Sequence, residues 1–492
     1  MTNNVSLLAA FVIYMILMML IGVYCWRRTR NMADYILGSR KLGAWVTSLS
    51  AEASDMSGWM LMGVPGFAYV AGLNAGWIAV GITIGTFLNW RFIAARLRKY
   101  TELANNSLTL PDFLRNRYQD HSNLLRVIPA IFILIFFVIY TSSGFAASGK
   151  LFASVFHLPY DVAILIGAFV VVFYTLVGGF LAVSLTDFIQ GSMMFLAILL
   201  VPITATFILG GPIATYDSIH ALNAAFFEPL TKPDGSTIGF VEMVSLLAWG
   251  LGYFGQPHIL VRFMAIRSSK ELGHAMRIAM VWVILSLAAA VLVGMIGKAY
   301  LTQTLVGTET ETVFLVMTHD LFPPFLAGFV LSAVLAAIMS TASGQLLVAA
   351  SAFAQDFYRS LFRQHANERE LLWISRLSVL GISLLALFLA RDPNSFILSM
   401  VAYAWAGFGA AFGPAVLFAL FWRRTTRNGT LAGIVVGGIT VLLWRQWTFW
   451  GLYELVPAFL AACVAIVVVS LLDKPPATDI VETFDKVGKS HI

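Results

Sequence analysis

The chain has 492 residues, of which 59% are hydrophobic and only 11% charged, with a formal net charge of +6. A soluble protein of that length carries roughly 25% charged residues, so a water-soluble globular class is excluded and an all-α polytopic membrane protein is indicated. The two cysteines, Cys25 and Cys463, lie in apolar stretches near opposite ends, which excludes a disulfide framework and a thiolate metal centre.

The first apolar stretch covers about 5–25. It is preceded by the uncharged MTNNVS and followed directly by Arg27, Arg28 and Arg30. That asymmetry argues against a cleavable signal peptide and places the N-terminus outside, with the first loop in the cytoplasm.

The second stretch, 44–71, is long enough to cross a bilayer, yet its middle carries Ser50, Glu52, Ser54, Asp55, Ser57 and Gly58. A charged side chain at mid-membrane costs about 2.5–3.5 kcal/mol on insertion scales, so it faces a cavity or a partner rather than lipid. Ser and Gly also make local unwinding cheap and free backbone carbonyls to act as ligands. A broken polar helix at membrane depth is how secondary transporters build an ion and substrate site. The plainer alternative is a helix with polar packing contacts inside a bundle.

Further stretches at about 76–95, 124–148, 160–180, 184–209, 238–264, 276–300, 322–352, 371–390, 395–422, 429–445 and 452–473 bring the expected count to about 13 transmembrane helices. An odd count with the N-terminus outside puts the C-terminus inside. Of the 31 Lys and Arg, all but Lys150, Lys232, Lys298, Arg391 and Arg445 then fall on the cytoplasmic side, Arg262 among them. The positive charge therefore follows the positive-inside bias and implies no nucleic-acid partner. The inner loop 96–126 holds SLTLPDFLRNRY, where Pro111-Asp112 suits a helix start on the membrane surface. The outer loop 210–237 is expected to hold a short surface helix ending at Pro233-Asp234-Gly235, and a second long outer loop covers 301–321. The polar tail from Lys474 is expected to be mobile.

The stretch 238–264 contains AWGLGYFGQPHILVRFMA, interrupted by Gly250, Gly252, Gly255 and Pro257, with Trp249, Tyr253, Gln256 and His258 as polar handles. Gly250–Gly255 satisfies G-x-G-x-x-G, but no strand–turn–helix unit surrounds it, so the match is accidental. Interrupted spans at matching places point to an inverted-repeat transporter of one transmembrane domain, 1–492. Its core repeats would be spans 2–6 and 7–11, about 44–209 and 238–422, with extra helices at 5–25, 429–445 and 452–473 and a cytoplasmic tail at 474–492.

In LSAVLAAIMSTASGQLL, residues 331–347, Ala337, Ser340 and Thr341 share one helix face. Two hydroxyls with carbonyls freed in the second span make an all-oxygen shell, which suits a hard monovalent cation such as Na⁺. Alternatively, the hydroxyls bond back to their own helix. Asp187, in AVSLTDFIQ, is read as a residue at a helix start near the cytoplasmic face, an N-terminal partner or a gate. The eight histidines show no paired metal spacing and no phosphate-binding loop is present, which speaks against zinc chemistry and direct ATP coupling.

The motifs SAEASDMSGWMLMGVPG, TLPDFLRNR, GGFLAVSLTDFIQ, WGLGYFGQPHILVRFMA and ILSMVAYAWAGFGAAFGP, with the hydroxyl-bearing 331–347, resemble the sodium:solute symporter family over about 5–473. The resemblance implies a leucine-transporter-like core of ten helices, alternating access, and Na⁺-coupled uptake of L-proline across a bacterial inner membrane, with no organic cofactor and no enzyme activity. It implies Na⁺ among the carbonyls of Ala53, Met56 and Ala337 and the hydroxyls of Ser340 and Thr341, with Asp55 as the carboxylate for tight coupling. Ser57 and Gly58 match positions where ion and substrate affinity are set together. Tyr140, Trp249, Tyr253 and Pro257 match pocket positions, and Arg40 and Asp187 match cytoplasmic-side residues that affect transport kinetics.

One departure stands out. Glu52 occupies a position where the resemblance implies a small residue; it either adds a second carboxylate to the cavity or faces a neighbouring helix or loop. Trp249 and Tyr253, four residues apart, are expected to stack their rings on one helix face, where aromatic faces suit both the apolar ring and the cationic ammonium of proline. The other readings are a symporter for a different small zwitterion such as a betaine-like osmolyte, or a sensor that reuses the fold.

Overall fold

The computed structural model describes residues 2–26, 32–177, 179–447 and 449–489, so Arg27, Arg28 and Arg30 lie outside the described residues. Among the described residues, the apolar stretches marked in the sequence are mainly helical. Ten helical runs among the described residues are long and apolar enough to cross a membrane, and Tyr160–Leu176 and Phe240–Gly255 are shorter apolar helices. One of the ten, Trp59–Leu103, joins the second half of the second stretch to the third through a turn at Gly72, whose φ of 62° favours glycine.

The two interrupted stretches break where their polar and glycine residues predict. The first runs as helix Ala44–Asp55, leaves helical geometry at Met56, and resumes through a π-turn at Trp59–Gly63 into Val64–Ala71. The second runs as Phe240–Leu247, tightens to a 3-10 helix over Ala248–Gly255, and restarts at Pro257–Ala265 with proline at the first turn. Helix Ala44–Asp55 packs against Phe180–Ile208, Leu272–Tyr300, Pro257–Ala265 and Pro324–Ser351. It thereby sits among other helices rather than in lipid, and every residue from Thr47 to Asp55 is buried. Helices Arg427–Trp447 and Leu455–Leu472 pack on each other and on Ile397–Phe421.

On the side carrying the basic loops, Thr109 caps helix Leu110–Arg117 by accepting from the Asp112 N–H at 3.1 Å, as the proline-led start predicted. Two expectations fail. The helix in the loop 210–237 is Pro212–Leu222, which ends well before the turn at Pro233–Gly235 because Asn223 leaves helical geometry and turns to cap the next 3-10 helix. The tail is not free: Thr478–Lys489 is an amphipathic helix that buries Phe484 and Val487. Gln119 donates to Asp479 at 2.6 Å and Arg423 pairs with Asp485 at 3.0 Å, so the charges that suggested solvation fasten the helix to the loops at 118–123 and 422–426.

Candidate functional site

The break in the second stretch creates the central feature. Beyond Asp55 the ladder fails: the Ser57 N–H bonds the carbonyl of Asp55 at 3.0 Å instead of that of Ala53. The Ala53 carbonyl is taken up by another helix. Ser340 Oγ donates to it at 2.7 Å and Thr341 Oγ1 at 3.1 Å, both from Pro324–Ser351. Ser340 also lies 3.1 Å from its own Ala337 carbonyl, so the back-bonding alternative holds for that residue in part, while Thr341 points across. All four residues are buried. A hydroxyl that donates its proton keeps two lone pairs, so this cluster of neutral oxygens is of the kind a hard monovalent cation takes. Met56, with φ −81° and ψ 77°, is the residue at which the helix opens.

Asp55 closes the same helix end. Its carbonyl accepts from Trp59 Nε1 at 3.0 Å and from the Tyr140 hydroxyl at 3.3 Å. Its carboxylate Oδ2 accepts from the Tyr253 hydroxyl, which ties the first broken helix directly to the second. Ser57 makes a long contact, 3.5 Å, with the Trp59 N–H. Gly58 lies where a Cβ would come within 2.9 Å of Ala147 Cβ, so its lack of a side chain lets helix Leu124–Phe156 approach.

Trp249 and Tyr253 do not stack on each other. The segment is 3-10, with three residues per turn, so positions four apart do not superpose. Both rings meet Trp405 instead, Tyr253 edge-on at 4.9 Å and Trp249 near-parallel at 6.3 Å. Trp405 Nε1 donates to the Trp249 carbonyl at 2.8 Å, and Gly252 admits the indole where any Cβ would collide with it. Trp249 also packs on Trp59 and Tyr453, and lines a cavity of about 530 Å³ with Phe67, Glu311, Phe396 and Leu398. Pro257 is elsewhere: it lines a far smaller space with Ile133, Val261 and Leu347.

Asp187 requires a correction. Its helix begins at Phe180, so Asp187 is two turns inside and cannot serve the helix start. It is buried and paired with Arg262 at 3.2 Å, and accepts from Ser50 at 2.7 Å. Arg262 in turn donates to Ser50 at 3.2 Å and to the His258 carbonyl at 2.6 Å. Arg262 is fully buried, with the Asp187 carboxylate as its partner inside the bundle. Arg40 has other partners, Asn106 at 3.0 Å and the carbonyls of Ser107, at 2.9 Å, and Met264.

Comparison with known proteins follows this geometry. The family model described as "Sodium:solute symporter family" matches residues 35–437. The chain belongs to the sodium:solute symporter family. Among curated members, it is 47% identical over 489 residues to the sodium/proline symporter of Escherichia coli (strain K12), covering 98% of this chain and 96% of that protein. It is 48% identical over 470 residues to the high-affinity proline transporter PutP of Bacillus subtilis (strain 168), covering 95% and 98%. Among solved structures, a substrate-bound, outward-open Na⁺-coupled sialic acid symporter matches with a TM-score of 0.78 at 20% identity, covering 96% of this chain and 99% of that one. That last likeness carries the fold of this symporter-family chain.

Trp405, Trp59 and Arg262 had no part in the site expected from the sequence. An arginine inside the apolar run PHILVRFMA is a signal in itself, since an intramembrane charge demands a partner. The tryptophans gave none, because apolar helices are rich in such residues.

Proposed function

We propose that this chain is a secondary active transporter that couples entry of L-proline to Na⁺ moving down its gradient. The observation that carries this reading is the Ala53 carbonyl, left by its own helix and met by the hydroxyls of Ser340 and Thr341. With the carbonyls of Met56 and Ala337 these groups would hold Na⁺, which is cargo here rather than a resident cofactor. Asp55 couples the ion to the substrate through Tyr253. Trp249, Tyr253 and Tyr140, with Ser57, Gly58 and Pro257 along the path, would receive the zwitterion, the aromatic faces meeting its ring and ammonium. Arg40 and Asp187 would act on the cytoplasmic side in gating. Each Na⁺ that enters draws about 2.3 kcal/mol per 100 mV of membrane potential.

The near-full-length identity to proline transporters supports proline over other zwitterions. The chain is read as one domain of 13 spans in the inner membrane of a bacterium, N-terminus outside and C-terminus cytoplasmic. Spans 2–6 and 7–11 would form two inverted repeats whose first members are the two broken helices. Purified protein in liposomes should accumulate labelled proline when an inward Na⁺ gradient is imposed and not when K⁺ replaces Na⁺. Accumulation of a betaine that proline fails to compete with would favour the osmolyte reading and reject this one.

A further inference from the structure

Space is distributed unequally about the two breaks. On one side of them lies the cavity of about 530 Å³ lined by Gly66, Phe67 and Trp249. On the other, the space that Pro257 shares with Leu108, Pro111, Ile133, Leu347 and Ala352 holds only about 20 Å³. A single water needs roughly 10–15 Å³ of such volume, so this side is shut to an organic solute. Leu347 and Val348, which both line it, follow Ser340 and Thr341 by seven residues on helix Pro324–Ser351. They therefore share the face of the two hydroxyls, about 10 Å further along the helix. Helix Leu110–Arg117 starts at this space, and Gln119 beyond it holds the tail helix, so the space continues the ion cluster toward the tail side.

One cation ties the walls of that space together. Arg126 Nε donates to Asp356 Oδ1 at 2.9 Å, and its Nη2 lies 3.3 Å from Asp112 Oδ1. Asp112 follows Pro111 directly, and its other oxygen accepts from the Leu108 N–H at 3.2 Å, so this carboxylate fixes the loop that forms one wall. Asp356 belongs to the π-turn Ala352–Tyr358, whose first residue is a second wall. Such wide turns inside helices are frequent at functional sites. Arg126 stands seven residues before Ile133, on the same face of helix Leu124–Phe156, which is the third wall. Three separate elements thus meet at one guanidinium.

We propose that Arg126, Asp112 and Asp356 form a latch that keeps the tail side of the transport route closed. Substrate leaves past Pro257 only when Arg126 lets go of one carboxylate. This rests on the transport reading above and adds to it the contact that must break for release. The geometry also ranks the two arms. The Asp112 contact is the longer and reaches water, with 14% of that side chain exposed, whereas Asp356 is fully buried. Water takes over the Asp112 end at less cost than it would enter around Asp356, so the Asp112 arm opens first.

The test reads access to position 347 in the purified full chain. Leu347→Cys is combined with Cys25→Ser and Cys463→Ser, and the rate of alkylation by a water-soluble maleimide is measured. With the latch intact the thiol should react slowly. Asp112→Ala or Arg126→Gln should speed the reaction by about ten- to 100-fold, the range set by losing one hydrogen bond to a charged group. Arg126→Gln strands the Asp356 carboxylate and lowers folded yield, so Arg126→Met with Asp356→Leu is the decisive variant. It removes the stranded charge and should restore yield and proline binding, yet alkylation should stay fast. Slow alkylation in that double variant would make the ion pair a packing contact and overturn the latch. So would a thiol that already reacts fast with the latch intact, or a rate that Asp112→Ala leaves unchanged. Na⁺-driven proline uptake by the wild-type protein in liposomes is measured alongside: uptake with any of those results removes the latch alone, and no uptake removes the transport reading together with it.

Discussion

The two hydroxyls on the Ala53 carbonyl allow stability and ion affinity to be separated. Consider Ser340→Ala, Thr341→Ala and the double variant. Either single change leaves the carbonyl with one donor, 2.7 Å or 3.1 Å away, so the folded state loses one hydrogen bond of net worth about 0.5–1.5 kcal/mol. The double change leaves a buried acceptor whose own helix does not serve it, and that orphan costs about 1–3 kcal/mol in addition. Thermal stability without Na⁺ should therefore fall by more in the double variant than the sum of the singles. Ion affinity follows a different pattern, because each hydroxyl also loses a lone pair for Na⁺. Each single change should raise the Na⁺ concentration for half-maximal proline uptake by about five- to 150-fold, corresponding to about 1–3 kcal/mol per lost contact. The assays are Na⁺ titration of uptake in proteoliposomes and melting of the detergent-solubilised protein without Na⁺. A double variant with wild-type Na⁺ dependence would remove the ion from this place, and additive losses of stability would refute the shared-carbonyl argument.

Three further outcomes are expected. Trp249→Ala should weaken proline binding by about 1–3 kcal/mol while Na⁺ binding persists, with Trp249→Phe recovering part; a joint collapse of both, with loss of folded protein, would mean that the ring only packs against Trp59, Trp405 and Tyr453. Arg262→Met should destabilise the chain by about 3–5 kcal/mol by leaving the Asp187 carboxylate uncompensated, and adding Asp187→Leu should restore folded yield; equal yields for the single and double variants would count against the pair. Burial alone would raise the Asp120 carboxyl, in the loop after helix Leu110–Arg117, but bonds from Ser122, Leu125 and Arg427 outweigh it and hold it below its usual value. Its contribution to stability is thus present above the ordinary carboxylate range and lost as pH falls through the lowered value; Asp120→Asn should flatten the acid limb of the melting curve, and an unchanged limb would reject this.

The sequence alone determined the class, the helical stretches and the two breaks. Apolar runs of bilayer length, a scarcity of charge, and Ser, Gly and Asp clustered at mid-span are local properties, read without knowing any neighbour. The family resemblance also pointed to Ala53 and to the face shared by Ala337, Ser340 and Thr341. What it left open was which groups would meet across the bundle. Ser340 and Thr341 were free to bond their own helix; only the packing of Pro324–Ser351 against the opened end of Ala44–Asp55 put the Ala53 carbonyl within their reach. Asp187 and Arg262 are 75 positions apart, and no periodicity joins them. Trp249 and Tyr253 failed to stack because glycine-rich chain tightened to a 3-10 helix, and Trp405 from a distant helix took the space that Gly252 leaves open. The tail helix follows the same rule: its polar sequence predicted solvent, while its apolar face, with Phe484 and Val487, is buried against the rest of the chain. Helix and span are written in local spacing, but a buried polar group's partner is fixed only when separate helices pack.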